Sequence, residues 1–419
     1  MKQHAIHARE KYLEAVNPSS VTILYAGEAP HKTLDQYYPF SVNRNFYYLT
    51  GLNAPALILM MVKGVSGQKT YLFIEETTDL ILKWEGARLS KQEAHDSSGI
   101  ALENIHYLDQ FETLFNAMMN YARSPFGAPP QTVYLDLYHV SPKRPPYALL
   151  KAGAILDHYP ELKRENANGI LAALRMLKSD DEITYLKEAI AYNHAGLNGV
   201  IKRLKERQNE HQVASDFLYE SRLVGSEGLA FDTIAAGGKN ATVLHYINNN
   251  QPLNQSALLL IDCGAIHAQY NSDITRTYPV SGTFTPRQKE IYEAVLDVNK
   301  ATIERIKPGV TWQELNTFAK ERLAAHAVRL KVIEKVEDIG LVYYHSIGHF
   351  LGLDVHDVGL YNQPLQAGMV LTIEPGLYIK DEGIGVRIED DILVTQKGYE
   401  NLSQAIAKDI SDIETLMQS

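Results

Sequence analysis

Two regimes of apolar patterning divide this chain near residue 170. Ahead of that point, short β-branched and aromatic runs at residues 21–25, 56–62, 70–74 and 132–137 have the pattern of strands. Residues 8–16 and 147–156 instead repeat apolar positions at helical spacing. The alternation predicts an α/β domain over residues 1–170. Residues 124–130, SPFGAPP, are a loop by composition.

Beyond residue 170 the pattern opens with a helix start. Ser179 precedes Asp180, Asp181 and Glu182, a capping-box spacing with acidic residues where the helix dipole favours them. Ile183, Leu186, Ile190, Leu197, Ile201 and Leu204 then share one helical face. Thr285-Pro286-Arg287-Gln288 and Thr311-Trp312-Gln313-Glu314 start two more helices, the first with proline at its first position. Residues 257–262, 270–278, 369–374 and 385–395 read as strands. Helices and strands mix without strict alternation, so residues 171–419 are expected to form a separate α+β domain. No short-period repeat or low-complexity tract is visible.

Composition narrows the class. The 419 residues are 45% hydrophobic and 21% charged, ordinary for a soluble globular protein with enough chain for a large core. The apolar run at residues 56–62 falls far short of the ~20 residues needed to span a bilayer. The opening MKQHAIHARE has no apolar run of the kind a secretory signal needs. No membrane partner and a cytoplasmic location are therefore expected. Cys263 is the single cysteine; it excludes an internal disulfide framework and a cysteine-based zinc cluster, and it fits a reducing compartment. A net charge of −10 without any Lys/Arg block argues against nucleic acid as a partner.

The acidity is lopsided. Residues 1–170 carry 16 Lys+Arg against 17 Asp+Glu, whereas residues 171–419 carry 24 against 33. A solvated acidic surface would produce that excess; so would carboxylates gathered around metal ions.

The strings that carry chemistry favour the second reading. The apolar strand Leu258-Leu259-Leu260-Ile261 ends in Asp262, and Asp273 follows within SDITRT. Three histidines, His345, His349 and His356, lie within HSIGHFLGLDVHDVG. Ser346 follows His345, so this is not the HExxH zinc motif. Glu374 ends the strand of TIEPG, and Glu389 lies in GVRIEDD. In an extended strand Arg387, Glu389 and Asp391 share one face, with Val386, Ile388 and Asp390 on the other. Burying Glu389 against a sheet is costly unless it is paired or bound to metal. Asp262, Asp273, Glu374 and Glu389 bring four negative charges, and His349 adds an imidazole. Two divalent cations would balance that set. Oxygen-rich ligands with one histidine favour manganese over a thiolate-type zinc site. Paired cations about 3.5–4 Å apart activate water and polarise a carbonyl, which is hydrolase chemistry.

The ordered set Asp262, Asp273, His349, Glu374, Glu389 resembles the dinuclear metallopeptidases of the pita-bread fold. HSIGHFLGLDVHDVG, TIEPGLYI and GVRIEDD resemble the Xaa-Pro aminopeptidases (aminopeptidase P) and the related prolidases. The match spans about residues 170–415. In the first half, NRNFYYLTG at residues 43–51 and WEGARL at residues 84–89 are similar to segments of that family's N-terminal domain, although aromatic-rich strands of this kind are common in cores. The resemblance implies a C-terminal pita-bread catalytic domain preceded by a smaller α/β N-terminal domain. It implies that Asp262 chelates one metal, that Asp273 and Glu389 bridge both, and that His349 and Glu374 complete the other. Glu374 is also the implied proton shuttle. His245 and His356 match histidines that stabilise the tetrahedral intermediate and steer substrate. His345 matches a residue lining the proline pocket, and Arg387 matches an arginine that holds ligand carboxylates. The implied cofactor is two divalent metal ions, manganese first, with cobalt or zinc as alternatives. The implied assembly is a homodimer or homotetramer, to whose interface Tyr37-Tyr38-Pro39-Phe40 is a candidate contributor. Cys263 is expected as buried filler, and Trp84 as either core or a substrate wall.

Both activities of that family cleave the bond before proline. A strict dipeptidase must also bind a free carboxylate, for which arginine is suited. Residues 358–373, where such prolidases often carry an arginine, contain no Lys or Arg. The expected activity is therefore release of the N-terminal residue from peptides with proline in the second position, with Xaa-Pro dipeptidase as the alternative. A metal-free peptide-binding module is a further reading, disfavoured because all five ligands are present. Methionine aminopeptidase shares the ligand set but fits the N-terminal domain and the HDVG string poorly. Creatinase-like chemistry does not need the complete set.

Overall fold

A computed structural model describes residues 1–122, 124–139 and 141–418. The chain forms two compact units, Met1–Arg175 and Met176–Ser419.

The first unit is built on one mixed sheet. Helix α1 (Lys2–Ala15) precedes β1 (Ser20–Tyr25), and a β2–β3 hairpin (His31–Thr33, Gln36–Tyr37) leads to α2 (Arg44–Thr50). Strands β4 (Ile58–Lys63) and β5 (Gln68–Ile74) are followed by α3 (Asp79–Trp84), α4 (Lys91–Ser98), β6 (Ile105–Tyr107), α5 (Phe111–Met119), β7 (Thr132–Leu135), α6 (Tyr147–Leu156), β8 (Lys163–Asn166) and α7 (Asn168–Met176). The strand order is β6-β5-β4-β1-β7-β8, with β1 antiparallel to β4 and parallel to β7. Every residue of β1 is buried, as a central strand covered on both faces requires. Val21, Ile23 and Tyr25 pack with Phe115, Met118, Ala152 and Leu156 of α5 and α6. On the other face, Thr22 meets the hydroxyl of Tyr12 from α1 at 3.2 Å.

Three local expectations are revised here. The first helix begins at Lys2, six residues ahead of the apolar pattern, because its buried face includes His4 and Arg9. Arg9 donates to Leu49 O and Ser98 O at 2.7 and 2.8 Å. Residues 44–50 form a helix and not a strand: Asn43 Oδ1 accepts the Phe46 N–H, and Gly51 ends the helix at φ 69°. Trp84 is 81% exposed, so it is not core. Tyr37 and Tyr38 are exposed as well.

The second unit begins with α8 (Asp180–Arg203) and α9 (Glu210–Leu223), then β9 (Ile234–Gly237), β10 (Leu258–Cys263), a β11–β12 pair (Ile266–His267, Tyr270–Asn271) and β13 (Ile274–Pro279). Helices α10 (Pro286–Ile303) and α11 (Trp312–Arg329) lead to β14 (Val370–Ile373), β15 (Gly376–Ile379), β16 (Ile384–Arg387), β17 (Asp390–Val394), β18 (Tyr399–Asn401) and α12 (Ile410–Leu416). Ser179, Thr285 and Thr311 each form a full capping box. Two antiparallel three-stranded sheets, β13-β10-β9 and β14-β17-β18, flank the β15–β16 hairpin. One core joins them to the helices, from Leu197 and Phe217 through Leu259 and Ile261 to Val295, Leu371 and Ile392. Cys263 is fully buried there, its thiol facing Asn193 Oδ1 and Ile274 O.

Two expected strands are broken. The run at 270–278 leaves its ladder at Ser272 and Asp273, and the run at 385–395 leaves it at Ile388 and Glu389. The second break lets β16 pair with β15 while β17 pairs with β14. A buried ion cluster ties this break to the C-terminal segment. Arg276, fully buried on β13, donates to the carbonyls of Thr275, Glu389, Ile406 and Ala407 and pairs with Asp390 at 2.8 Å. Lys408 donates to the other oxygen of Asp390. Burial opposes ionisation of Asp390, yet Arg276 and Lys408 hold its carboxyl well below the usual range. Removing one member of such a buried set typically costs about 3–5 kcal/mol. Arg276→Met should therefore lower the urea midpoint of the second unit by that equivalent; a loss below about 1 kcal/mol would contradict the role given to the cluster.

Candidate metal centre

Each acidic donor sits where backbone leaves a ladder. Asp262 is the penultimate residue of β10 and Asp273 immediately precedes β13; Glu374 follows β14, and Glu389 occupies the break between β16 and β17. His349 runs beside β14, its backbone bonded to Thr372 through the hydroxyl and through the N–H. That approach needs Gly348, because a Cβ there would lie 1.9 Å from Thr372 O. His349 Nδ1 donates to Phe350 O at 3.0 Å. This fixes the tautomer and turns the Nε2 lone pair toward the carboxylates.

These donors converge. Ligand atoms of Asp273, His349 and Glu389 all lie within 4.8 Å of one another. His349 Nε2 is 3.3 Å from Asp273 Oδ2 and 3.8 Å from Glu374 Oε1. Arg387 joins the fourth carboxylate to the rest. Its Nη2 donates to Asp262 Oδ2 at 2.6 Å, its Nε to Thr275 Oγ1 and its Nη1 to the Tyr378 hydroxyl. Thr275 Oγ1 in turn donates to Glu389 Oε2 at 2.7 Å. Tyr378 donates to His345 Nε2, while His345 Nδ1 donates to Ser346 O. His345 is thus a neutral imidazole with both nitrogens engaged.

The electrostatics follow from burial. With only protein charges present, burial and then the Asp262 carboxylate push Asp273 well above the usual carboxylate range. Burial and then Asp273 do the same to Glu389. Burial raises Glu374 to about 7, with His349 and Arg387 opposing. Burial lowers His345 and His356 to about 4, with Arg387 adding to the effect on the first and His349 on the second. Burial works against the Arg387 charge, yet Tyr378, Asp262 and Glu389 hold it protonated.

The donor set fits divalent metal. Three buried carboxylates and the partly buried Glu374 face one guanidinium, and Asp262 Oδ1 is buried without a hydrogen-bond partner among the described residues. An orphaned anionic oxygen beside three carboxylates is costly unless a cation meets it. The cavity is about 360 Å³. Asp262, Asp273, His349, Glu374, Glu389, His245, His345, His356 and Arg387 all line it, so the nine residues given ligand or catalytic roles from the sequence reach one site, whereas Trp84 is not among its lining residues. Thr275, Tyr378 and Asp391 were missed as supports. Asp391 Oδ2 accepts the Asp273 N–H at 3.2 Å. The strings SDITRT, GLYI and EDD contain them, but nothing in the sequence shows which residue each touches.

A family model for metallopeptidase family M24 matches residues 184–396, and a model for the aminopeptidase P N-terminal domain matches residues 5–125. A Haemophilus influenzae Xaa-Pro aminopeptidase is 32% identical over 99% of this chain and 97% of its own length. A solved Bacillus anthracis structure, provisionally assigned as an aminopeptidase P, is 40% identical with a TM-score of 0.94, covering 100% of this chain and 98% of that one. Escherichia coli aminopeptidase P with the inhibitor Pro-Leu is 27% identical with a TM-score of 0.89, covering 100% and 98%.

A pH dependence follows. Glu374 stands at about 7 when folded against an ordinary value of 4.5. Between those values the metal-free folded chain binds more protons at this site than the unfolded chain, so the site's contribution to stability falls as pH rises. Added divalent cation relieves the repulsion and competes with those protons. Mn²⁺ added to metal-stripped protein should raise Tm more at pH 8 than at pH 5.5. An increment independent of pH would count against this.

Proposed function

The chain belongs to metallopeptidase family M24, and from that premise we propose that it is a dinuclear-metal Xaa-Pro aminopeptidase, releasing the N-terminal residue of peptides with proline second. The observation that carries the reading is the convergence of four under-neutralised carboxylates and four imidazoles on one cavity. The catalytic work is assigned to residues 171–419, behind an aminopeptidase-P-like domain at residues 1–170. Asp262, Asp273, His349, Glu374 and Glu389 would hold two divalent cations, manganese in the first instance, with cobalt or zinc as alternatives. When bound, the cations supply Lewis acidity at the scissile carbonyl and make a water acidic enough to attack near neutral pH.

The chain's own residues do the rest. Glu374, titrating at about 7 before cation is added, is placed to take a proton from the attacking water and return it to the proline nitrogen as the bond breaks. His245 and His356 donate hydrogen bonds to the developing oxyanion. A His356 lowered to about 4 is neutral at pH 7 and keeps one N–H to give. His345, held by Tyr378, lines the proline side. Arg387 orients Asp262 and, through Thr275, Glu389.

The lack of a spare cation supports aminopeptidase over dipeptidase. Among the described residues lining the cavity, Arg387 is the one Lys or Arg, and it is committed to Asp262, Thr275 and Tyr378. A homodimer or homotetramer is the proposed assembly, supported by the exposed Leu34, Tyr37, Tyr38 and Trp84 of the first unit. No helix among the described residues is long and apolar enough to cross a membrane; the proposed location is cytoplasmic.

Metal-stripped protein should release the first residue of an Xaa-Pro-Xaa tripeptide only after Mn²⁺ is restored, and Glu374→Ala should not. Cleavage that is indifferent to chelator would exclude the reading. His356→Ala should lower kcat by about 10²–10³, the usual cost of one oxyanion donor. The tripeptide should turn over faster than the Xaa-Pro dipeptide; strong preference for the dipeptide would reassign the chain as a prolidase.

A further inference from the structure

His245 is exposed at the cavity mouth on a stretch with no regular strand or helix beyond a short turn at Gly238–Thr242. An imidazole that must meet a developing charge needs a fixed place, because preorganisation is what makes such a donor effective. The residues on either side of it are held. Leu244 and Tyr246 pack on a small core of Ile234, Ala236, Ala241, Leu260 and Tyr378. Asn249, at φ 45°, ties the far end to β9: its Oδ1 accepts the Ala235 N–H and its Nδ2 donates to Thr233 O.

One group gathers the segment from several directions. Glu210, the first residue of α9, is fully buried. Its Oε1 accepts from Gly237 N and Asn240 Nδ2, both at 2.8 Å. Its Oε2 accepts from the Tyr246 hydroxyl at 2.7 Å and Gln251 N at 2.9 Å. No lysine or arginine is among these donors. A buried carboxylate is tolerable here because four hydrogen bonds and the positive end of α9 stabilise its charge. Burial and then the Glu210 bond raise Tyr246 to about 12, so its hydroxyl remains a donor. The four donors bracket His245 in sequence, two before it and two after it.

We propose that Glu210 is a positioning residue for the oxyanion-stabilising imidazole: its carboxylate gathers residues 237–251 on the end of α9 and so fixes His245 over the cavity. The proposal rests on the aminopeptidase reading given above for the role of His245.

The test is a double-mutant cycle on the Mn²⁺-loaded enzyme with an Xaa-Pro-Xaa tripeptide, joined to hydrogen exchange. Glu210→Gln places an amide donor among four donors. Tyr246→Phe removes one bond and keeps the packing, so it serves if the first variant folds poorly. Glu210→Gln should lower kcat about 10- to 100-fold with KM changed less than about 2-fold, and Tyr246→Phe should lower kcat about 3- to 10-fold. Both losses should vanish in a His245→Ala background, because residues acting through one group are not additive. Backbone amides of residues 238–251 should exchange faster in Glu210→Gln, while those of β10 stay as in the wild type. Multiplicative losses in the His245→Ala background would overturn the proposal, as would a His245→Ala enzyme with undiminished kcat. If the wild type cleaves no Xaa-Pro peptide, the aminopeptidase reading fails, and the Glu210 anchor is still decided by the exchange of residues 238–251. Unchanged exchange there overturns it.

Discussion

Four carboxylates held together inside a protein repel one another and have lost their water, and that cost governs the second unit. Asp262, Asp273, Glu374 and Glu389 share one cavity with a single guanidinium, Arg387. Left alone, such a cluster neutralises itself by taking up protons, the direction in which burial pushes Asp273, Glu374 and Glu389. A protein keeps the arrangement when cations complete it. The fold is arranged to tolerate the cluster. Arg387 meets Asp262, Thr275 bridges Arg387 to Glu389, and His349 turns its Nε2 inward by giving its Nδ1 proton to a carbonyl.

The pleat of one strand pair separates two kinds of charge. Arg387 and Glu389 face the cavity, and Asp391 accepts the Asp273 N–H. Asp390 points to the opposite side, where Arg276 and Lys408 neutralise it fully. Adjacent acids in one string thus have opposite electrostatic fates: Asp390 stays ionised and Asp391 is pushed well above the usual carboxylate range, first by burial. The neutralised side anchors the break that turns Glu389 toward the cavity, so packing and chemistry share these few residues.

The chemistry was legible in the sequence because its residue types are costly to bury and therefore conspicuous. Asp262 at the end of an apolar strand, Glu374 before Pro375-Gly376 and the clustered histidines all reach the cavity. Strand alternation also placed Arg387, Glu389 and Asp391 on one side, despite the break at Ile388 and Glu389. The three capping boxes were legible because their bonds are local. What could not be read was set by distant partners. The start of α1 was hidden because His4 and Arg9, polar by type, are buried by tertiary packing. Residues 44–50 carry aromatic side chains that suit a strand, yet Asn43 and Gly51 cap them as a helix. The supports Thr275, Tyr378 and Glu210 touch residues far off in sequence, and no spacing announces them.

The central claim is that two divalent cations complete this carboxylate cluster. Anomalous diffraction at the manganese edge from Mn²⁺-loaded crystals tests it most directly. The account predicts two peaks per chain, about 3.5–4 Å apart, enclosed by Asp262, Asp273, His349, Glu374 and Glu389. A single peak, or peaks away from these residues, would contradict it.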